Sequence, residues 1–169
     1  MLRAAVVVVV LTSLFAGRVF AQDASNDSQP WEYGAFIGRA LPHGVSQSDD
    51  IFSIWGLRAS MPMGSSAHGG YFDATYTNGI GNSITWQGLS GGVSLQIPLE
   101  TLVLGTGIGL DVNRYTSDIQ LNPKTVMGTY FTGSVMTKIT SSVLARFDMT
   151  FNSAPGTTMM FDLGLMYEY

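Results

Sequence analysis

His43 shares a short polar stretch with Ser46, Ser48, Asp49 and Asp50, and these side chains are the ingredients of nucleophilic hydrolysis. An imidazole can take the proton from a serine hydroxyl while a carboxylate holds the ring in the required tautomer. Serine and aspartate are also ordinary residues of exposed turns, so a solvated loop histidine is the plainer reading of the same stretch. His68, within Ser65-Ser66-Ala67-His68-Gly69-Gly70, is the only other imidazole, and the chain has no cysteine. Two histidines without thiolates do not make a zinc site, so neither a metal centre nor a cofactor is expected.

A second set of side chains is ionic. Arg58, Asp73, Asp111, Lys138, Arg146, Asp148 and Asp162 fall among small or polar residues that alternate with bulky apolar ones. Charged residues make up only 12% of the chain, about half the usual share for a soluble domain. If these side chains share one enclosed face, opposite signs must pair there, because a lone charge in a poorly hydrated interior costs several kcal/mol. A structural salt-bridge network is therefore expected, with a gated conduit or a catalytic acid as the sharper alternative.

The elements that would position these residues are strands. No segment has helical periodicity; period-two alternation recurs instead, punctuated by Gly, Pro, Asn, Asp and Ser clusters. In Leu102 to Val112 the aliphatics Leu104, Ile108 and Leu110 oppose Gly105, Gly107, Gly109 and Asp111. In Val143 to Phe151, Phe147 and Met149 oppose Arg146 and Asp148, and in Met159 to Tyr169, Leu163 and Leu165 oppose Asp162 and Gly164. Less regular runs cover Trp31 to Leu41, Ile51 to Met61, Gly70 to Asn78, Ile84 to Ile97 and Thr125 to Ile139. The phase of Ile84 to Ile97 changes near Gly88, where a bulge is expected. Eight strands result, an even number suited to an antiparallel barrel, most of them near the roughly 9–11 residues that cross a bilayer at a tilt.

Alternation alone does not separate a membrane barrel from a soluble one with an apolar interior. The side-chain types do. An eight-stranded interior is just wide enough for side chains, so glycines and ion pairs fit inside while a band of Leu, Ile, Phe and Val belongs against lipid. The expected fold is all-β, an eight-stranded antiparallel transmembrane barrel over 31–169. Trp31, Tyr33, Tyr167 and Tyr169 form one arc of an aromatic girdle, with Trp55 and Trp86 nearer the opposite rim. The longest outer connections are expected over 42–50 and 113–124.

Ahead of the barrel, Arg3 precedes the apolar run Ala4 to Phe15 and then Val19-Phe20-Ala21, the pattern of a secretory signal peptide over 1–21 cleaved before Gln22. Residues 22–30 form a polar lead-in. The formal net charge of −4, more negative once Arg3 and Arg18 leave with the leader, excludes a nucleic-acid binder, which needs a basic face.

Two further patterns bear on function. Gly88, Ser90, Gly92 and Ser94 stand on one run against Gly105, Gly107 and Gly109 on the next. Such a small-residue wall removes volume from one side of the lumen. Either larger inward groups such as Phe36, Tyr71, Tyr130, Leu144, Met160 and Met166 fill the space, or a partly apolar pocket for an acyl chain remains.

The chain ends Asp162-Leu163-Gly164-Leu165-Met166-Tyr167-Glu168-Tyr169. In its polar residue, its glycine two positions later and its alternating hydrophobics closing on an aromatic, this segment resembles the terminal strand of bacterial outer-membrane proteins. Over 31–169 the chain is similar to the small OmpA- and OmpX-like barrel-domain family. That resemblance implies outer-membrane lipid as the surroundings, and the barrel-assembly machinery as a partner reading Asp162, Gly164, Tyr167 and Tyr169. It implies a structural, adhesive or interaction role, with a surface or periplasmic protein as the partner and a narrow or plugged lumen. The alternatives are a lipid A-modifying or acyl-chain-binding barrel enzyme using His43, and a small porin-like pore.

Overall fold

The computed structural model describes residues 29–43, 51–64, 69–82, 84–117, 123–154 and 157–169. The expected leader, most of the lead-in, Ser46, Ser48, Asp49, Asp50, His68 and the side chain of His43 lie outside the described residues. Eight strands follow one another: β1 (Glu32–His43), β2 (Phe52–Pro62), β3 (Gly70–Ile80), β4 (Ile84–Pro98), β5 (Val103–Ser117), β6 (Lys124–Lys138), β7 (Val143–Asn152) and β8 (Thr157–Glu168). Each pairs antiparallel with the next, and β1 pairs with β8 to close the barrel.

Closure leaves no sheet edge, which satisfies every ladder position without water. The seam is tied at the chain ends, where Trp31 N donates to Tyr169 O at 3.2 Å and Tyr169 N donates to Trp31 O at 2.9 Å. Connections at this terminal end are tight: Leu99 N donates to Leu102 O at 2.7 Å and Ile139 N to Val143 O at 2.8 Å. Between β2 and β3, Gly69 adopts φ +46° while Gln96 N donates to its carbonyl at 2.8 Å, a close approach that a side chain would block.

The two faces of the wall differ as the alternation requires. Ile37, Ile108, Leu110, Leu163 and Leu165 are exposed on the outside, Ile37 to 70%. Glu32, Arg58, Asp111, Arg146, Asp148 and Asp162 are buried inside. A soluble barrel has the opposite arrangement, so this exterior belongs against hydrocarbon.

Expectations about β4, and then about β5, need correction. Near Gly88 there is no bulge: β4 runs in unbroken register with β5 from Ile84↔Ser117 to Pro98↔Val103, and with β3 from Ile80↔Thr85 to Gly70↔Leu95. The phase change in the sequence arises because Trp86 points inward with Gly88 and Ser90. Trp86 is therefore no part of a girdle; it is 2% exposed, and the glycines at 79 and 88 leave the room its indole occupies. Trp55 does face outward, with its ring edge-on to Tyr76 at 6.0 Å. The second correction concerns the connection expected over 113–124, which begins later because β5 continues to Ser117.

Candidate functional site in the lumen

The inward side chains form three layers. At the end far from the termini, Phe36, Ala40, Phe52, Ile54, Trp86 and Met160 pack into one buried apolar cluster, with Ile84 and Tyr115 against it. Tyr115 stacks on Trp86 at a centroid distance of 6.1 Å. Phe36 fits because its neighbours across both ladders are Gly56 and Gly164. At the terminal end Met136, Leu144 and Met166 form a second apolar cluster, with Val103 beside it.

Between them lies the ionic layer. Asp148, fully buried on β7, is held by two guanidiniums: Arg58 Nη1 from β2, and Arg146 Nε at 2.9 Å. Arg58 also reaches Asp162 Oδ2 at 3.5 Å and lies 4.9 Å from the centre of the Phe36 ring. Arg146 Nη1 stands 3.9 Å from Glu32 Oε2, which accepts a hydrogen bond from Gln96 Nε2 at 3.2 Å. Thr150 donates to Thr132 across the β6–β7 ladder at 2.9 Å. Charge-assisted and bidentate contacts of this kind fix side-chain orientation as well as supplying energy.

Of the ionic residues singled out in the sequence, Arg58, Arg146, Asp148 and Asp162 come together. Asp73 is nearby but accepts from the Ser60 hydroxyl, at 2.6 Å. Asp111 stands on the opposite wall, where its partner is the Asn113 amide, and Asn113 Oδ1 in turn accepts from Trp86 Nε1 at 2.8 Å. Lys138 lies outside the layer: it is exposed at the terminal rim, 2.7 Å from Glu168 Oε2. Its parity points inward, but it is the last residue of β6, where the lumen opens. Glu32, Gln96, Asn113 and Asn152 are buried polar residues of the interior that the sequence reading does not single out. Their signal was parity alone, since Glu32 alternates with Tyr33, and Asn113 shares a face with Asp111.

The small-residue wall is occupied from across the β5–β6 ladder by Tyr130, which is paired with Gly109. A Cβ built on Gly109 would stand 2.6 Å from Tyr130 Cε1, and one on Gly92 would stand 2.5 Å from its hydroxyl. A Cβ on Gly107 would lie 3.0 Å from Thr132 Cγ2 and 3.1 Å from Ser94 Cβ. The internal cavity bounded by Arg58, Trp86, Asp111, Tyr130, Asn152 and Asp162 has a volume of about 40 Å³. Pockets that take drug-sized ligands run to several hundred.

Of the hydrolytic set, the backbone of His43 pairs with Thr157 at the far end. In the terminal segment, Asp162 and Gly164 face the lumen, whereas Tyr167 and Tyr169 are exposed outside. Tyr167 meets Tyr33 at a ring separation of 5.5 Å.

The closed eight-stranded topology is found in known structures. The N-terminal β-barrel domain of Pseudomonas aeruginosa OprF superposes with a TM-score of 0.67 over 84% of this chain and 98% of that one, at 12% identity. The chain has the fold of the small bacterial outer-membrane barrels. Neisserial surface protein A superposes at 0.66 over 82% of this chain and 96% of its own, at 12% identity. Ail, the attachment invasion locus protein of Yersinia pestis, does so at 0.55 over 83% and 97%, at 10% identity. No protein-family model matches the sequence, and no curated protein does. At these identities the likeness to the solved barrels is one of fold.

Proposed function

We propose that this barrel is a resident of the bacterial outer membrane, exported by the leader over 1–21, that acts as a non-conducting structural or interaction scaffold. The observation that carries the reading is the layered interior. Apolar clusters stand at both ends of an ion-paired belt, and the cavity between them has a volume of only about 40 Å³. Such a lumen offers no continuous aqueous path and no room for an acyl chain. What remains available to a partner is the rim and the connections at the far end, an arrangement suited to adhesion or docking. Ail, the attachment invasion locus protein, shares the fold. During biogenesis the β8 segment carrying Asp162, Gly164, Tyr167 and Tyr169 is the natural element for the barrel-assembly machinery to read.

Two measurements test the scaffold. Purified barrel in planar lipid bilayers should show no single-channel conductance; stable unitary currents would overturn the reading in favour of a pore. Mass spectrometry of lipid A from cells expressing the wild-type barrel or its His43→Ala variant should give the same spectrum. A modification lost in the variant would establish a lipid A enzyme instead.

A further inference from the structure

One stretch of the lipid-facing wall is hollow. Ala35 on β1, Ala59 on β2 and Ala74 on β3 take outward positions among Leu57, Leu89 and Leu165, and they floor a groove of about 490 Å³. Small-molecule sites run from roughly 300 to 1,000 Å³. Arg58, Thr75 and Met166 also border the groove, but their side chains turn into the lumen. The surface left to an occupant is apolar.

The walls of the groove are braced. On the terminal side Tyr33 and Tyr167 lean together at a ring separation of 5.5 Å, and on the far side Trp55 holds Tyr76 edge-on at 6.0 Å. Beyond Ala74 the same row continues to Gly91, where an added Cβ would meet only the Asp73 carbonyl oxygen, at 3.8 Å. A slot with fixed sides gives up little freedom when it fills. Over most of the exterior any apolar shape serves; along these alanines the shape is specified.

The groove also has a direction. Its lining runs from Val143 on β7, beside the terminal connection, through β8, β1, β2 and β3 to Leu89 on β4. The strand spacings crossed make about 24 Å, and strands tilted by about 40° carry that row about 15 Å along the barrel axis. That rise is half of a hydrocarbon core about 30 Å thick, the depth of one leaflet. Thr140 and Ser141, exposed in the connection before Val143, place hydroxyls at the headgroup end.

We propose that this groove binds one acyl chain of a glycerophospholipid from the leaflet at the terminal end, with the headgroup beside the 139–143 connection and the chain end near mid-bilayer. A second copy of the barrel is a poorer match, because its convex wall cannot enter a narrow slot bounded on both sides. Such binding requires the membrane residence proposed above and is independent of whether the lumen conducts.

The full chain refolded into detergent micelles, mixed with palmitoyl-oleoyl phosphatidylethanolamine and measured by native mass spectrometry, provides the test. Wild-type barrel should keep one lipid after the detergent is stripped. Ala74→Leu, which fills the floor, should keep about tenfold less. Gly133→Leu, on the outer face of β6 with no atom within 4 Å of the added Cβ, should keep as much as the wild type. Ala35→Leu serves the same purpose if Ala74→Leu does not refold. Wild-type barrel that keeps no lipid, equal retention in the alanine variants, or a lipid-free dimer would overturn the proposal. Failure of the membrane reading is separately visible, since a barrel that stays monodisperse without detergent has no lipid-facing wall.

Discussion

The inner and outer faces of this barrel are built from the same strands yet obey opposite rules. On β5, Ile108 and Leu110 look outward and are 60% and 59% exposed, while Gly107 and Asp111 on either side of that pair are buried. Outside, side chains need only be apolar, because fluid hydrocarbon accommodates any shape. Inside, each position is fixed by a neighbour: Phe36 by Gly56 and Gly164, Tyr130 by Gly92 and Gly109, Asp148 by two arginines. Chemistry is thus constrained outside and geometry inside.

The largest expected effect comes from breaking the inner face. Asp148→Ala leaves Arg58 and Arg146 buried around a missing counter-charge and should destabilise the barrel by about 3–5 kcal/mol in denaturant titrations. Next comes the outer face: Ile108→Arg should cost about 2–4 kcal/mol in bilayers, the penalty for a cation facing lipid near mid-depth. Ile108→Val should be nearly silent there, since shape is not specified.

Glycines sharpen the contrast. Gly107→Leu must displace Thr132 and Ser94 and should cost about 1–3 kcal/mol, the usual range for overpacking. Gly133→Leu, where no atom lies within 4 Å of an added Cβ, should have little effect on the same unfolding curve. The smallest effect belongs to the rim. Lys138→Ala removes an exposed ion pair with Glu168 and should change stability by less than about 1 kcal/mol.

The same asymmetry explains what could be read from the chain. Outward positions announce themselves by hydropathy, so the strand number, the order and the inside-outside parity of Leu104 to Asp111 or Val143 to Phe151 were legible. Inward apolar residues violate that code. Trp86 reads as an exterior residue and its alternation as a bulge, because nothing in the local sequence says that Gly79 and Gly88 make room for an indole. Pairing across the lumen was legible only in part. Opposite charges on neighbouring β7 and β8 suggested proximity, but the reach of Arg58 from β2 to Asp148 depends on the barrel's diameter and register. The isolation of Asp111 depends on the same two quantities. Asn152 looked like a turn residue because a polar amide at a strand end carries no orientation signal.

The orientation of the two faces is tested most directly by spin labels, and the absence of native cysteine makes single labels clean. Labels placed through Ile108→Cys, Leu110→Cys and Leu163→Cys in bilayer-reconstituted barrel should collide with dissolved oxygen and be shielded from a water-soluble nickel chelate. Labels at those positions relaxed by the nickel chelate and not by oxygen would mean that the aliphatic face meets water, contradicting the inside-outside assignment.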